Sequence, residues 1–494
     1  MNSYASTVRP LHSGARLPQV SKPVYVYRFS LRAFLLQLLF CTLPAAALLA
    51  TGRAEWAGKC FWLLFGLVLL RAMLMGRRDE LLCLILAAAP FLNLLRSFVF
   101  YNVIIAMFLV LLGFYFFSAS NRFSQTLRQF GLFWGVVIWV GIYYTLSLYN
   151  TRDYAINLRL FELAFTVLCV LLLSRNRLLL GVALTGTIIS AWLVGLAMIP
   201  QMGTSDRLGI IAVEGRLLGN PGQLGLPLAF GLLALMFDRG RWLHLQEKPM
   251  CRWLMLAPTA VLLALTTSRA SWLVAAVGVL ILLLFGKQQR TRLVSLCIVG
   301  IIGIGIVLMS PYGVALKKGW ERTFGEGQSV RKKTSGRSDQ WMVSEYAFTR
   351  SINSIIHGHG PGRGPEMYAK YSPEVPGVQY AVGKRVALHS LFMQLLVEVG
   401  LVGLISFLAW LLMIFSKIGF RVREHGLFPM ACFFAYALTM VSVSGNDINS
   451  GILLGMALLG TAYSVARIDG VRGPDNMHLC TPSSQVREGK REGR

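Results

Sequence analysis

Seven residues of this chain have the types and the spacing to do chemistry. Arg216 and Asn220 lie in the stretch 199–223, which also carries Arg207 and Glu214 and breaks its backbone at Gly219 and Pro221-Gly222. Arg269 sits in the turn Thr266-Thr267-Ser268-Arg269-Ala270-Ser271-Trp272, between two apolar runs that leave it almost no loop. Arg337 and Arg363 belong to a long polar segment, 311–388, and Arg363 lies in the turn His357-Gly-His359-Gly-Pro-Gly-Arg363-Gly-Pro. His389 opens the next apolar helix, and Glu398 follows nine residues later. Guanidiniums make bidentate, charge-assisted contacts to phosphate oxygens. Two of them would stabilise the charge that develops as a diphosphate leaves a sugar. A neutral imidazole could accept the proton of an incoming hydroxyl. No Asp-x-Asp pair of the kind that holds a divalent ion on a nucleotide-sugar is present, so no metal site and no cofactor are expected.

Each residue also has a plain structural reading. Arg216 could snorkel from a helix end. Arg269 could be one half of an ion pair, because an Arg at membrane depth costs on the order of 2.5–3.5 kcal/mol or more and needs a cavity or a partner. His357 and His359 are spaced i,i+2 with no Cys or acidic pair nearby, which favours loop residues over metal ligands. A carboxylate at Glu398 is costly unless paired, so a structural partner and a site role are both open.

The elements that must position these residues are membrane helices. The chain has 494 residues, 55% hydrophobic and only 14% charged, and its mean hydropathy is +0.59. That excludes a soluble multidomain enzyme and a disordered chain. Fourteen apolar runs have lengths near those needed to span a bilayer: 34–50, 57–75, 80–97, 99–118, 130–149, 157–174, 178–198, 220–237, 253–267, 270–286, 293–310, 391–416, 427–444 and 449–466. Close-coupled pairs could each be one re-entrant element, so the expectation is an all-α polytopic protein of about 12–14 transmembrane helices. No long stretch alternates apolar with polar residues, which argues against a β-barrel.

The formal charge of +26 is spread as short basic clusters between apolar runs, the pattern of membrane orientation rather than of nucleic-acid binding. With segment 311–388 set aside, one set of loops carries 28 Lys and Arg against 8 on the other. The expected organisation is therefore a basic cytoplasmic N-tail (1–33, not a cleavable signal), helices 1–11 over 34–310 with an outer loop at 199–219, a large outer loop at 311–388, helices 12–14 over 389–466, and a disordered cytoplasmic C-tail, 467–494. The large loop carries twelve basic residues against six acidic ones, and the orientation rule does not explain them; a basic outward surface suits an anionic substrate or anionic headgroups. A helix is expected near 338–354 within it. The eight cysteines all avoid this loop, so no disulfide framework is expected.

Four motifs in order resemble the O-antigen ligase and O-antigen polymerase superfamily of bacterial inner-membrane glycosyltransferases. They are Gly215-Arg216 through Asn220-Pro221, then Ser268-Arg269-Ala270-Ser271-Trp272-Leu273, then Gly336-Arg337 through Trp341 with Gly358-His-Gly-Pro-Gly362, and last His389-Ser390 through Gln394, Glu398, Gly400 and Gly403. Ser390 stands where the family usually has Asn, and Gly222-Gln223 follow Asn220-Pro221 where a second Asn is common. The resemblance implies a metal-independent, inverting glycosyltransferase of the inner membrane, facing the periplasm, that moves a glycan from undecaprenyl diphosphate to a sugar hydroxyl. Arg216 and Arg269 would bind the diphosphate, and His389 would position or deprotonate the acceptor. Arg337, Asn220, Glu398 and Arg363 would contact substrate.

The first reading is a polymerase of O-antigen or exopolysaccharide repeat units. The alternatives are a ligase whose acceptor is lipid A–core, a protein O-oligosaccharyltransferase, and, from another class, a transporter of lipid-linked oligosaccharide. A transporter would be expected to show midplane charges and repeat symmetry. Here the polar residues collect on one face, and no fixed-period repeat is visible. Expected partners are the lipid-linked glycan, the acceptor, the bilayer, and a chain-length regulator or another polysaccharide-assembly protein.

Overall fold

The computed structural model describes residues 31–95, 101–147, 154–203, 208–213, 216–218, 221–238, 249–285, 313–324, 336–442 and 448–462, with isolated positions between them. The expected tails at 1–30 and 467–494, most of the span expected at 293–310, and Asn220 lie outside the described residues. The protein is an all-α polytopic membrane protein. In chain order the bundle holds α1 (Leu31–Ala50), α2 (Ala54–Leu74), α3 (Arg78–Ala87), α4 (Ala89–Leu95), α5 (Tyr101–Gln129), α6 (Phe133–Ser147), α7 (Tyr154–Leu173), α8 (Arg177–Met198), α9 (Pro221–Phe237), α10 (Pro249–Leu265) and α11 (Arg269–Phe285). Then come α12 (Gly313–Phe324), α13 (Arg337–Thr349), α14 (Ile352–His357), α15 (Gly364–Tyr371), α16 (Leu391–Phe420), α17 (Val422–His425), α18 (Phe428–Ser442) and α19 (Ile448–Leu459). One two-stranded antiparallel hairpin joins β1 (Ile211–Val213) to β2 (Arg216–Leu218), which the sequence reading did not anticipate.

Four described helices reach 18 residues and are apolar enough to cross a bilayer, and six shorter apolar helices accompany them. Their outward faces are apolar. On α2, Leu63, Leu67, Leu70 and Leu74 form a stripe at helical spacing and stay exposed, while Phe61, Phe65, Val68 and Ala72 are buried. A solvent-facing stripe of leucines is costly in water and natural in lipid.

Two expected spans are broken, each for an identifiable reason. The run 80–97 splits at Ala88, because Pro90 has no N–H to donate and crowds the Leu86 carbonyl. The Thr187 hydroxyl of α8 donates to that carbonyl at 2.7 Å, which adds a partner from a neighbouring helix at the break. The run 391–416 bends at Gly400, which takes φ 63° and ψ −163°. Residues 391–399 thereby leave the bundle direction and pack with the helices of the polar segment.

That polar segment is folded rather than open. Val343, Ala347, Met367, Tyr368, Tyr371 and Leu388 form a second small core, which Val397 of α16 completes. The helix expected at 338–354 ends at Thr349. Ser351 restarts the chain as α14 through a reciprocal capping box with Ser354.

Candidate functional site

The site is built by four elements that converge on one end of the bundle. Arg269 is the first residue of α11, set by a turn of only three residues. Ser268 caps that helix: its hydroxyl lies 3.4 Å from the Ser271 N–H and 2.9 Å from the Ser271 hydroxyl. The indole N–H of Trp272 donates back to the Leu263 carbonyl at 3.1 Å and closes the turn onto α10. Thr267 takes a positive φ of 48°, an uncommon conformation for a β-branched residue and a mark of how tight the turn is. Two further elements dock here. The Leu208 N–H donates to the Leu265 carbonyl at 3.3 Å, which tethers the stretch leading into the hairpin. α9 approaches so closely at Gly225 that a Cβ there would stand 2.3 Å from the Ser271 hydroxyl oxygen. Arg216 opens β2, where its backbone pairs with Val213, and β1 lies against α2.

Arg337 is the first residue of α13, preceded by Gly336 in the left-handed conformation. The start of α13 is fixed by Asp339, whose buried carboxylate accepts the Gln379 and Tyr380 N–H groups at 2.9 and 3.0 Å. The next residue, Gln340, is buried and its side-chain oxygen accepts the His389 N–H at 3.2 Å. That bond orients the amide. The Gln340 NH2 group and the neighbouring Trp341 indole N–H then have no partner among the described residues.

His389 is half-buried. Burial, then the nearby charges of Arg337 and Arg159, push its imidazole down from 6.5 to about 4. Burial and the adjacent Arg269 likewise hold the Arg337 guanidinium below its ordinary value. His389 therefore sits neutral beside arginines from two separate elements, Arg159 of α7 and Arg337 of α13, and Arg337 in turn neighbours Arg269 of the α10–α11 turn. Arg159 was not anticipated from the sequence. It lies inside an apolar run with no motif around it, and only the packing of α7 brings it to His389.

Glu398 and Arg363 are placed differently. The Glu398 carboxylate is fully buried and accepts the Gly362 N–H at 2.9 Å and the Gly364 N–H at 3.0 Å. The Gln394 side chain and the Tyr143 hydroxyl lie against it. Glu398 thus anchors the glycine-rich turn to α16, and it reaches any ligand only through that turn. Arg363, between those two glycines, is exposed, with its side chain lying over Gly360. The His359 and Gly360 N–H groups donate to the Val397 and Glu398 carbonyls at 2.8 and 2.9 Å, and so cap the helix that Gly400 breaks. The His359 ring binds the Ala347 carbonyl at 2.7 Å, which is the loop role rather than that of a metal ligand. His357 is exposed. No group of three or more metal-ligating side chains occurs among the described residues.

The fold and the site define a polytopic α-helical membrane protein with a cationic, His-containing centre at one end, partly covered by a small helical subdomain. Residues 253–408, from α10 through the Gly400 bend, match the family model described as O-antigen ligase. That match supports the O-antigen ligase/polymerase superfamily over this part of the chain, the part that carries Arg269, Arg337, His389 and Glu398. No curated protein matches the chain.

Proposed function

We propose that the protein joins lipid-linked polysaccharide repeat units at the outer face of the bacterial inner membrane, with both termini cytoplasmic. The observation that carries this reading is the neutral His389 beside Arg159 and Arg337, with Arg269 next to Arg337. The donor is a glycan on undecaprenyl diphosphate. Arg269 and Arg216 bind the diphosphate, with Arg337 beside them. The acceptor hydroxyl oxygen attacks the anomeric carbon and inverts it. The bond from that carbon to the diphosphate oxygen breaks as the new glycosidic bond forms. The hydroxyl proton passes to His389, and undecaprenyl diphosphate leaves with the bonding electron pair. The charge grows on the leaving group, where guanidiniums stabilise the transition state more than the ground state. The unpartnered donors of Gln340 and Trp341 are available to sugar or phosphate oxygens. We assign substrate contact to Asn220 and Arg363 as well, and Glu398 positions the turn that carries Arg363.

A base works only while unprotonated. The acid limb of the transfer rate is therefore expected near pH 4, well below the ordinary imidazole value. In Arg159→Gln one positive charge is lost, protonation of His389 becomes easier, and the limb moves up toward 6.5. It does so only in part, because burial is the larger cause. Rates measured across pH on both proteins test this, and an unmoved limb would remove Arg159 from the site.

A ligase acting on lipid A–core would use the same donor chemistry. Sizing undecaprenyl-linked glycan and lipopolysaccharide from a deletion strain separates the two. Single repeat units on lipid, with no long polymer, identify a polymerase. Long polymer retained on undecaprenyl diphosphate, beside bare lipid A–core, identifies a ligase.

A further inference from the structure

At the far end of the bundle a second polar centre lies in a cleft of about 370 Å³, lined by Asp79, Tyr115, Arg122, Arg175, Asn176 and three leucines, 172, 173 and 179. Helix α7 links the two centres. Arg159 near its start faces His389, and Arg175 follows its end sixteen residues later, about 24 Å away at 1.5 Å per residue. That separation is most of the thickness of a hydrocarbon core, about 30 Å.

The cleft is assembled from segments distant in sequence. Asp79 is in the first turn of α3. Arg122 and Gln125 come from α5 beyond a bend of 101° between Phe117 and Ser120. Arg175 and Asn176 form the α7–α8 turn. Arg122 stands 3.8 Å from the Asp79 carboxylate, and Arg175 donates to the Gln125 side-chain oxygen at 3.3 Å. The Asn176 side chain is already used, accepting the Leu179 N–H at 3.3 Å to cap α8. Arg78 also acts on Asp79, so two guanidiniums act on that carboxylate and Arg175 adds a third positive charge to the cleft. Arg122 and Arg175 repel one another across the cleft, and Arg122 keeps 62% of its side-chain surface exposed, so its long contact to Asp79 leaves most of its donors open. Leu172, Leu173 and Leu179 supply an apolar wall beside this charge.

We propose that this cleft binds the phosphate of a membrane amphiphile, with Arg122 and Arg175 on the phosphate and the leucines along its hydrocarbon. It is separate from the candidate active site and does not depend on the activity proposed there. A net positive polar end beside an apolar wall, at a membrane boundary, matches an anionic phospholipid or another lipid phosphate better than a soluble anion.

The test uses the full-length protein. Binding of phosphatidylglycerol is measured by native mass spectrometry in detergent, and by thermal stability in phosphatidylcholine nanodiscs with and without phosphatidylglycerol. Inorganic phosphate is the soluble comparison. The wild type is expected to retain phosphatidylglycerol and to be stabilised by it, with little response to inorganic phosphate. In Arg122→Gln/Arg175→Gln, binding falls about tenfold or more. The double Lys variant recovers part of it, since charge returns without the planar fork. Both arginines are surface residues, so the variants are expected to fold. Retention of phosphatidylglycerol by the double Gln variant at the wild-type level overturns the proposal. So does an equal response to inorganic phosphate, which would make the cleft a simple anion site. His389→Ala binds phosphatidylglycerol like the wild type, which keeps the two sites distinguishable.

Discussion

Membranes carrying His389→Ala or Arg269→Ala are expected to hold the protein at its normal level and to make no polymer. Neither side chain is part of a packing core. His389 contributes its backbone N–H to Gln340, which Ala retains, and the cap on α11 comes from Ser268 rather than Arg269. The loss is therefore chemical. Removing a positioned base costs about 10²–10⁴-fold, and removing one donor to a developing anion costs about 10²–10³-fold. Chain growth compounds each loss over many additions, so long polymer disappears. Arg269→Lys is expected to remain poor, because an ammonium lacks the bidentate fork. Arg363→Ala, at an exposed position, serves as the contrast and is expected to lower the yield modestly. Immunoblots of the membrane fraction beside sized glycans check both halves of this expectation. Normal polymer from either variant would sink the assignment of the site.

The second large effect is structural. Gly358→Ala and Gly400→Ala are each expected to destabilise the protein by about 2–5 kcal/mol, the sum of overpacking and left-handed strain. The backbones of the glycine-rich turn and of α16 touch at these two residues. A Cβ on Gly358 would stand 2.4 Å from the Glu398 carbonyl carbon, and one on Gly400 would stand 2.4 Å from the Ile356 oxygen. Both have positive φ, 73° and 63°. Separating the two backbones also breaks the His359 and Gly360 caps and pulls the turn from Glu398. Gly419→Ala, in open surroundings farther along α16, is the control and is expected to be neutral. Melting temperatures in detergent, or the amount of protein surviving in the membrane, read the difference. A Gly400→Ala protein as stable as the control would mean that the two backbones do not meet as described.

The helices were legible because lipid imposes a strong constraint. A run of about 20 apolar residues has few other fates, and every fully described run contains a helix within a few residues of its expected position. Arg269 and His389 were also legible. A charged or titratable residue with almost no loop to occupy stands out against an apolar background, whatever it contacts. The breaks at Ala88 and Gly400 were not anticipated, although Pro90 and Gly400 are visible in the chain. Whether such a residue bends a helix depends on who receives the freed carbonyls, and Thr187, His359 and Gly360 are distant in sequence. The same limit separates the two readings of Glu398. Sequence alone left it between substrate contact and structural partner, and only the packing of residues 391–399 against the glycine-rich turn shows what its carboxylate holds. Arg159 is the clearest case. Its own neighbourhood is featureless, and it gains meaning when α7 packs beside the subdomain that carries His389. Local composition determined which segments enter the membrane and which residues are too polar to be idle there. The tertiary structure alone decided which of those residues face one another, because that depends on close approach between segments hundreds of residues apart.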